Sequence, residues 1–390
     1  MPKIAIIGAS GKLGGATLSA LLAHGLVAAP RDVVALTSSA AGSPTRGRLA
    51  ATGVSVRPAR FEDPAGLEAA LRGVDTLFLV STPDIALDFG LALDFDGTTA
   101  ATAAAAAGGE GSGNGNHPGR ESHHKNAVDA AVRAGVRRIV YSSLAFAFDP
   151  TAGADGNGVG VGDASRAGVM RAHLRTEAYL RAVAAADHGV KVVVLREGLY
   201  AESWPLYLGY FDNDAVVGDG DGEGEGEGEG DVVVPLAGDG KICWTAIRDL
   251  GVASALVLAD ADAESEFDGR IVYLATRPAT AKTVAEIARL VAAAGGGGGG
   301  ARDVRVEVVG RREHERYYVA ERGLPRPAVE WWAGTYEALE AGECLVDDPT
   351  LETLLGRVGL TPIPVEETVA AMVKGRGGWK SRQKEARIGG

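Results

Sequence analysis

Cysteine is almost absent from this chain of 390 residues: Cys243 and Cys344 are the only two, and they lie far apart. That excludes a disulfide framework and a clustered thiolate metal site, and it points to a reducing compartment, the cytoplasm. Long apolar runs are missing too. No stretch approaches the roughly 20 apolar residues that span a bilayer, so no membrane partner is expected. Lys3 is followed by only a short apolar run before glycine, which is not the pattern of a secretory leader. Positive charge is scarce. The formal net charge is −12, and the segment 212–231 holds nine acidic residues and no Lys or Arg, so it alone supplies −9. The remainder is close to neutral, which argues against a nucleic-acid partner. Nor do the Gly-Glu repeats of 222–230 make a metal site, because nothing in them fixes the carboxylates.

Glycine, by contrast, is abundant, with 56 residues gathered mainly into tracts. The informative ones stand at the start. Ile4 to Ile7 read as a buried parallel strand, and Leu13, Leu18, Leu21 and Leu22 as the packed face of a helix. Between them Gly8, Gly11 and Gly14 follow the spacing G-x-x-G-x-x-G. The first permits a sharp reversal, the second lets a diphosphate approach the backbone, and the third lets helix and strand pack closely. The helix mouth then faces the phosphates with free N–H groups, and Ala9, Ser10, Lys12 and Leu13 complete the turn. A strand before and a helix after is the context a dinucleotide fingerprint requires.

Further strands are expected from Val33 to Thr37, Val54 to Val56, Asp75 to Val80, Arg138 to Tyr141, Val190 to Arg196 and Arg270 to Ala275. Helices alternate with the earlier ones, and Ser38 to Arg48 reads as a polar loop. Right-handed crossovers make this an α/β fold, a Rossmann-type doubly wound parallel sheet with a smaller C-terminal α/β substrate lobe. The expected division is 1–200 for the nucleotide domain, with a flexible insert at 101–120 and its sheet completed by 241–276. The lobe takes 201–373, with the acidic insert at 212–231 and a glycine linker at 295–300. Residues 374–390 form a basic tail.

Ligands of such sheets sit at the carboxyl ends of the strands. The second strand ends in Thr37 and Ser38, with no acid to hold a ribose 2′-hydroxyl and so no bar to a 2′-phosphate. Lys12, Arg46 and Arg48 are the nearest cations. NADP(H) is therefore favoured, with NAD(H) as the alternative. Ser81 and Thr82 follow the fourth strand, and Ser142 follows the fifth.

The runs Arg137 to Ser143, His173-Leu-Arg-Thr-Glu177 and Leu195-Arg-Glu-Gly-Leu-Tyr200, with Gly238 to Lys241, resemble NmrA-like atypical short-chain dehydrogenases, in particular the type 2 NAD(P)H:quinone oxidoreductases. The resemblance covers most of the chain. It implies that Gly8, Ser10, Gly11, Lys12, Leu13, Gly14, Thr37, Ser38, Ser81, Thr82 and Ser142 bind NADPH. Two positions depart from the pattern. Ser38 stands where relatives commonly carry Arg, and Arg60 where many carry an Asp beside the adenine.

Conventional relatives use Tyr-x-x-x-Lys, in which the ammonium lowers the tyrosine pKa for proton donation. Here the aligned helix carries His173 and Glu177. A carboxylate would raise a neighbouring pKa. His173 is thus either the catalytic group lining the nicotinamide pocket or a partly exposed polar residue, with Glu177 paired to Arg181. A quinone tolerates the loss of that acid, since it is already electron-poor. Tyr200, Trp204, Tyr207, Tyr210 and Phe211 supply aromatic surface. Tyr200 and Trp204 are expected to meet the flat acceptor, or else the cluster fills a core. Two functions remain open: an oxidoreductase acting on a quinone or similar small molecule, or a dinucleotide-binding sensor working through a protein partner. A homodimer fits either.

Overall fold

The computed structural model describes residues 3–89, 119–149, 160–186, 189–208, 232–260, 265–294 and 304–375. The acidic insert at 212–231, the linker at 295–300, Tyr210, Phe211 and all of the tail beyond 375 lie outside these residues. So does the insert at 101–120 up to residue 118.

The strands are β1 (Ile4–Ile7), β2 (Val33–Thr37), β3 (Ser55–Pro58), β4 (Thr76–Leu79), β5 (Arg138–Leu144), β6 (Lys191–Glu197), β7 (Val232–Leu236), β8 (Ile271–Leu274) and β9 (Val304–Val308). The first helices are α1 (Lys12–Ala23), α2 (Pro44–Ala51), α3 (Pro64–Leu71), α4 (Glu121–Arg133), α5 (Met170–Ala185) and α6 (Trp204–Tyr207). They are followed by α7 (Ile247–Ala259), α8 (Val284–Ala294), α9 (Arg311–Arg316), α10 (Arg326–Glu340) and α11 (Thr350–Gly356).

Seven strands form one parallel sheet in the order β3-β2-β1-β4-β5-β6-β8. Both faces are covered, which is why the central strands β1, β2 and β4 are apolar at nearly every position. Ile4, Ile6, Phe78, Val140, Val193 and Leu195 pack toward α1 and α7. Their alternates Ala5, Ile7, Leu77, Leu79, Ile139 and Tyr141 pack toward α3, α4 and α5. The strand order reverses between β1 and β4, and the register sets Ile7 level with Leu36 and Leu79, and Leu79 level with Tyr141. The carboxyl ends of β2, β1, β4 and β5 therefore open on one crevice.

Two expectations need correction here. The supposed loop from Ser38 to Arg48 contains the start of α2, because the Ser43 hydroxyl accepts the Arg46 amide and Pro44 occupies the first turn. The fifth strand runs on to Leu144, pairing Ser142 with Leu195 and Ser143 with Arg196, so both serines are strand residues.

A second, two-stranded parallel sheet joins β7 and β9. Next to it lies an aromatic core in which His314 packs against Tyr318, Trp332 and Tyr336. Tyr336 is buried against Tyr207 there, so this part of α10 anchors the C-terminal segment.

Candidate active site

The crevice is a cleft of about 700 Å³. Its first wall is the turn after β1. Gly8 has φ +77°, in the left-handed region, and its carbonyl accepts the Gly11 amide at 2.8 Å. A Cβ on Gly14 would overlap that same Gly8 carbonyl, so only glycine lets α1 lie so close to the strand. Gly11 is the N-cap residue and α1 has no side-chain cap, which leaves the amides of its first turn directed at the cleft. A helix mouth of this kind, reached over a glycine backbone, fits a dinucleotide diphosphate.

The cleft is lined by Gly8, Ser10, Gly11, Lys12, Leu13 and Gly14, then by Thr37, Ser38, Ser81, Thr82 and Ser142. Ala9 is buried beneath the turn and does not line it. Among the cations considered for the 2′-phosphate, Lys12 borders the cleft, and Arg46 and Arg48 on α2 do not. The exposed Arg60, after β3, does border it, on the same side as Ser38.

The floor is held by side chains. Ser142 Oγ accepts the Ser81 amide at 2.9 Å, tying the end of β4 to β5. His124, fully buried on α4, accepts the Thr82 amide on Nε2 at 3.2 Å. Its Nδ1 lies 2.8 Å from the Thr176 hydroxyl, which itself donates to the Ala172 carbonyl. Only a neutral ring protonated at Nδ1 satisfies both contacts. Burial, with help from the nearby Arg120 charge, holds the imidazole pKa down at about 3. Arg120 caps the same corner. It is buried at the start of α4, pairs with Asp88 at 2.9 Å and donates to the Val169 carbonyl, so the last residue of the expected insert is an ordered part of the site.

At the far end the cleft is bordered by Leu144, Val169, His173 and Tyr200. His173 is buried rather than partly exposed, and its Nδ1 lies 2.9 Å from the Tyr141 hydroxyl. Burial and the Arg120 charge keep it well below the ordinary histidine pKa, and burial raises the Tyr141 phenol. Glu177 does not pair with Arg181. It is buried behind the cleft, bound by Arg196 at 2.8 Å and by the Ser143 hydroxyl at 2.6 Å. Trp204 does not meet the acceptor space. Its ring is fully buried among Leu199, Tyr207 and Trp244, because the short helix α6 turns it into the core of the C-terminal segment.

The residues that sequence reasoning missed, His124 and Tyr141, share one signal. Each is a polar residue on the apolar side of an element otherwise devoted to core packing.

A family model described as NAD(P)H-binding matches residues 8–203. The chain belongs to the NAD(P)H-binding family. It is 25% identical, over 94% of each chain, to an NmrA-like family domain-containing oxidoreductase of Aspergillus flavus. It is 28% identical to quinone oxidoreductase 2 of Escherichia coli, over 67% of this chain and 66% of that protein. Among solved structures, the NADPH complex of the E. coli NADPH-dependent quinone oxidoreductase superposes with a TM-score of 0.64 at 25% identity. That match covers 95% of this chain and 99% of the other. A Citrobacter triphenylmethane reductase, at 22% identity, shares the fold with a TM-score of 0.62 over 95% and 99%. The chain is thus an NAD(P)H-binding protein of the NmrA-like family, similar over most of its length to oxidoreductases. Among the described residues no helix is long and apolar enough to cross a membrane, and no cluster of metal-ligating side chains occurs.

Proposed function

We propose that this protein passes hydride from NADPH to a quinone or similarly small, electron-poor acceptor without a Tyr/Lys pair. The supporting observation is the state of Glu177. At the position of the conventional lysine, this carboxylate is buried behind the cleft and neutralised by Arg196, so this position offers the acceptor end no ammonium. A ketone or alcohol would forfeit general acid–base help worth about 10²–10⁴ in rate. A quinone needs less, because it accepts hydride readily and its reduced form is a weak base. What the protein must provide is proximity, worth up to roughly 7–11 kcal/mol.

In this reading the bound dinucleotide supplies the hydride. The chain's own residues hold and shield. The α1 mouth and Lys12 bind the diphosphate, Ser81 and Thr82 are positioned by Ser142 and His124, and Ser142 itself faces the cofactor. Leu144 and Val169 exclude water, and the neutral His173 borders the reacting ring. Tyr200 offers the acceptor its aromatic face. Arg60 beside Ser38 favours the 2′-phosphate of NADPH over NADH. Two free, buried cysteines suit the cytoplasm.

The test is NADPH oxidation against a panel of quinones of graded potential, with binding of both dinucleotides followed by calorimetry. Turnover rising with acceptor potential is expected. Equal binding of oxidised and reduced dinucleotide, with none consumed, would replace the enzyme by a sensor.

A further inference from the structure

β6 ends in two adjacent ionisable residues, Arg196 and Glu197, that point to opposite faces of the sheet. Arg196 turns toward α5 and meets Glu177. Glu197 lies 1% exposed and forms no ion pair among the described residues. One of its carboxyl oxygens, Oε2, lies 3.0 Å from the Tyr200 hydroxyl. The other, Oε1, is buried without a hydrogen-bond partner. A carboxylate in such a place would be a desolvated, unpaired charge, which proteins avoid by keeping the proton. Burial raises this carboxyl to about 8 even against the contact from Tyr200, so at neutral pH the group is an acid. Its hydroxyl neighbour belongs to a residue that borders the cleft at its acceptor end.

We propose that Glu197, through the Tyr200 hydroxyl, supplies the proton that the acceptor's oxygen takes up on reduction. The inference rests on the oxidoreductase reading above and adds a proton source to it. When hydride adds to a quinone, the electron pair it brings leaves one ring oxygen as an oxyanion. The phenolic proton of Tyr200 passes to that oxygen, and the carboxyl proton of Glu197 passes to the phenolic oxygen. The net change is a neutral hydroquinone, an intact tyrosine and one carboxylate, which solvent reprotonates after product leaves. The 3.0 Å contact serves either direction of hydrogen bond, since the two oxygens share two protons. Glu202, whose carboxylate accepts the Ile247 amide, is the charged group that bears on Tyr200 from the adjoining segment. The other ionisable groups facing the cleft are Lys12, Arg60, Glu62, Arg120 and His173.

The arrangement predicts which acceptors depend on it. A quinone ends with a weakly basic oxyanion that still takes up a proton, whereas a cationic triarylmethane dye takes hydride at carbon and becomes neutral with no proton at all. The experiment compares the wild type, Glu197→Gln and Tyr200→Phe on a weakly oxidising quinone and on such a dye. It also follows the protonated-carboxyl infrared band of the cofactor-free protein against pH. The wild type should show a carboxyl band that titrates near pH 8 and is missing in Glu197→Gln. Its quinone kcat should fall above that pH, and this limb should vanish in Glu197→Gln. Both variants should lower the ratio of quinone to dye turnover about 10²-fold, the low end of general-acid effects. Tyr200→Phe keeps the carboxyl band, which separates lost delivery from a misfolded site. A wild type without that band, or a ratio unmoved by either variant while quinone turnover persists, overturns the proposal and leaves the oxidoreductase reading standing. No turnover of any acceptor by the wild type sinks both.

Discussion

At the nucleotide end of the cleft the protein offers backbone: a left-handed glycine, a glycine too close to a carbonyl to carry a Cβ, and the open mouth of α1, all within the first fourteen residues. At the acceptor end it offers buried side chains gathered from four elements: His124 from α4, Tyr141 from β5, His173 and Glu177 from α5, and Arg196 and Glu197 from β6. The two ends should fail differently. A site made of backbone fails when an added atom pushes the chain aside. One made of buried polar groups fails when a partner is removed and a charge is left in a medium that cannot solvate it.

The largest effect is therefore expected at Glu177. Glu177→Ala strands the Arg196 guanidinium, itself 1% exposed, and should cost about 3–5 kcal/mol in chemical denaturation. Replacing both partners, as in Glu177→Leu with Arg196→Met, should recover most of that loss, since an apolar pair of similar volume leaves no charge behind. A single variant as stable as the wild type would mean that water reaches this pair, and the contrast between the two ends would dissolve.

The same contrast explains what was readable in the sequence. Gly8, Gly11 and Gly14 declare their work within one turn, so the nucleotide end and the parallel sheet around it are legible from local pattern. Glu177 finds Arg196 across α5 and β6, and His124 finds Thr82 across α4 and β4. Those partners are fixed by the fold and carry no local signature. Trp204 could not be assigned from the sequence, because an aromatic near a cleft and an aromatic in a core look alike until the short α6 sets its direction. The helix α2 was hidden by the glycine and proline around Ser43, although that serine is its cap.

A second way to probe the acceptor end is pH. The folded state holds a proton on Glu197 up to about 8, while the unfolded chain releases it near the ordinary 4.5. Between those values the folded state binds more protons, so stability must decline as pH rises, by an amount on the order of a few kcal/mol. Glu197→Gln should flatten that decline in denaturation curves taken from pH 5 to 8. Parallel curves for variant and wild type would show that the carboxylate is already charged in the folded protein.

At the nucleotide end the corresponding probe is Gly14→Ala. The added methyl meets the Gly8 carbonyl, a backbone atom that cannot swing away, so α1 must shift outward. Overpacking of this kind costs about 1–3 kcal/mol. The diagnostic result is the pairing of modest destabilisation, read by thermal melting, with a loss of NADPH binding that Glu177→Ala does not share at a temperature where both variants are folded. Unchanged NADPH affinity would mean the phosphates bind elsewhere.

The smallest expected effect tests whether any side chain matters at that end. Arg60 is exposed, so its contact with a 2′-phosphate would work against water and salt, and it should be worth about 1.4 kcal/mol, or tenfold. Arg60→Ala should weaken NADPH about tenfold and leave NADH unchanged, since only one of them carries the extra phosphate. The difference should shrink as ionic strength rises, because an exposed charge pair is screened within about 10 Å at 0.1 M salt. A loss shared equally by both nucleotides would assign Arg60 to the adenine or the diphosphate. The preference would then rest on the absence of an acid at Thr37 and Ser38, and backbone would still be the principal material of that end.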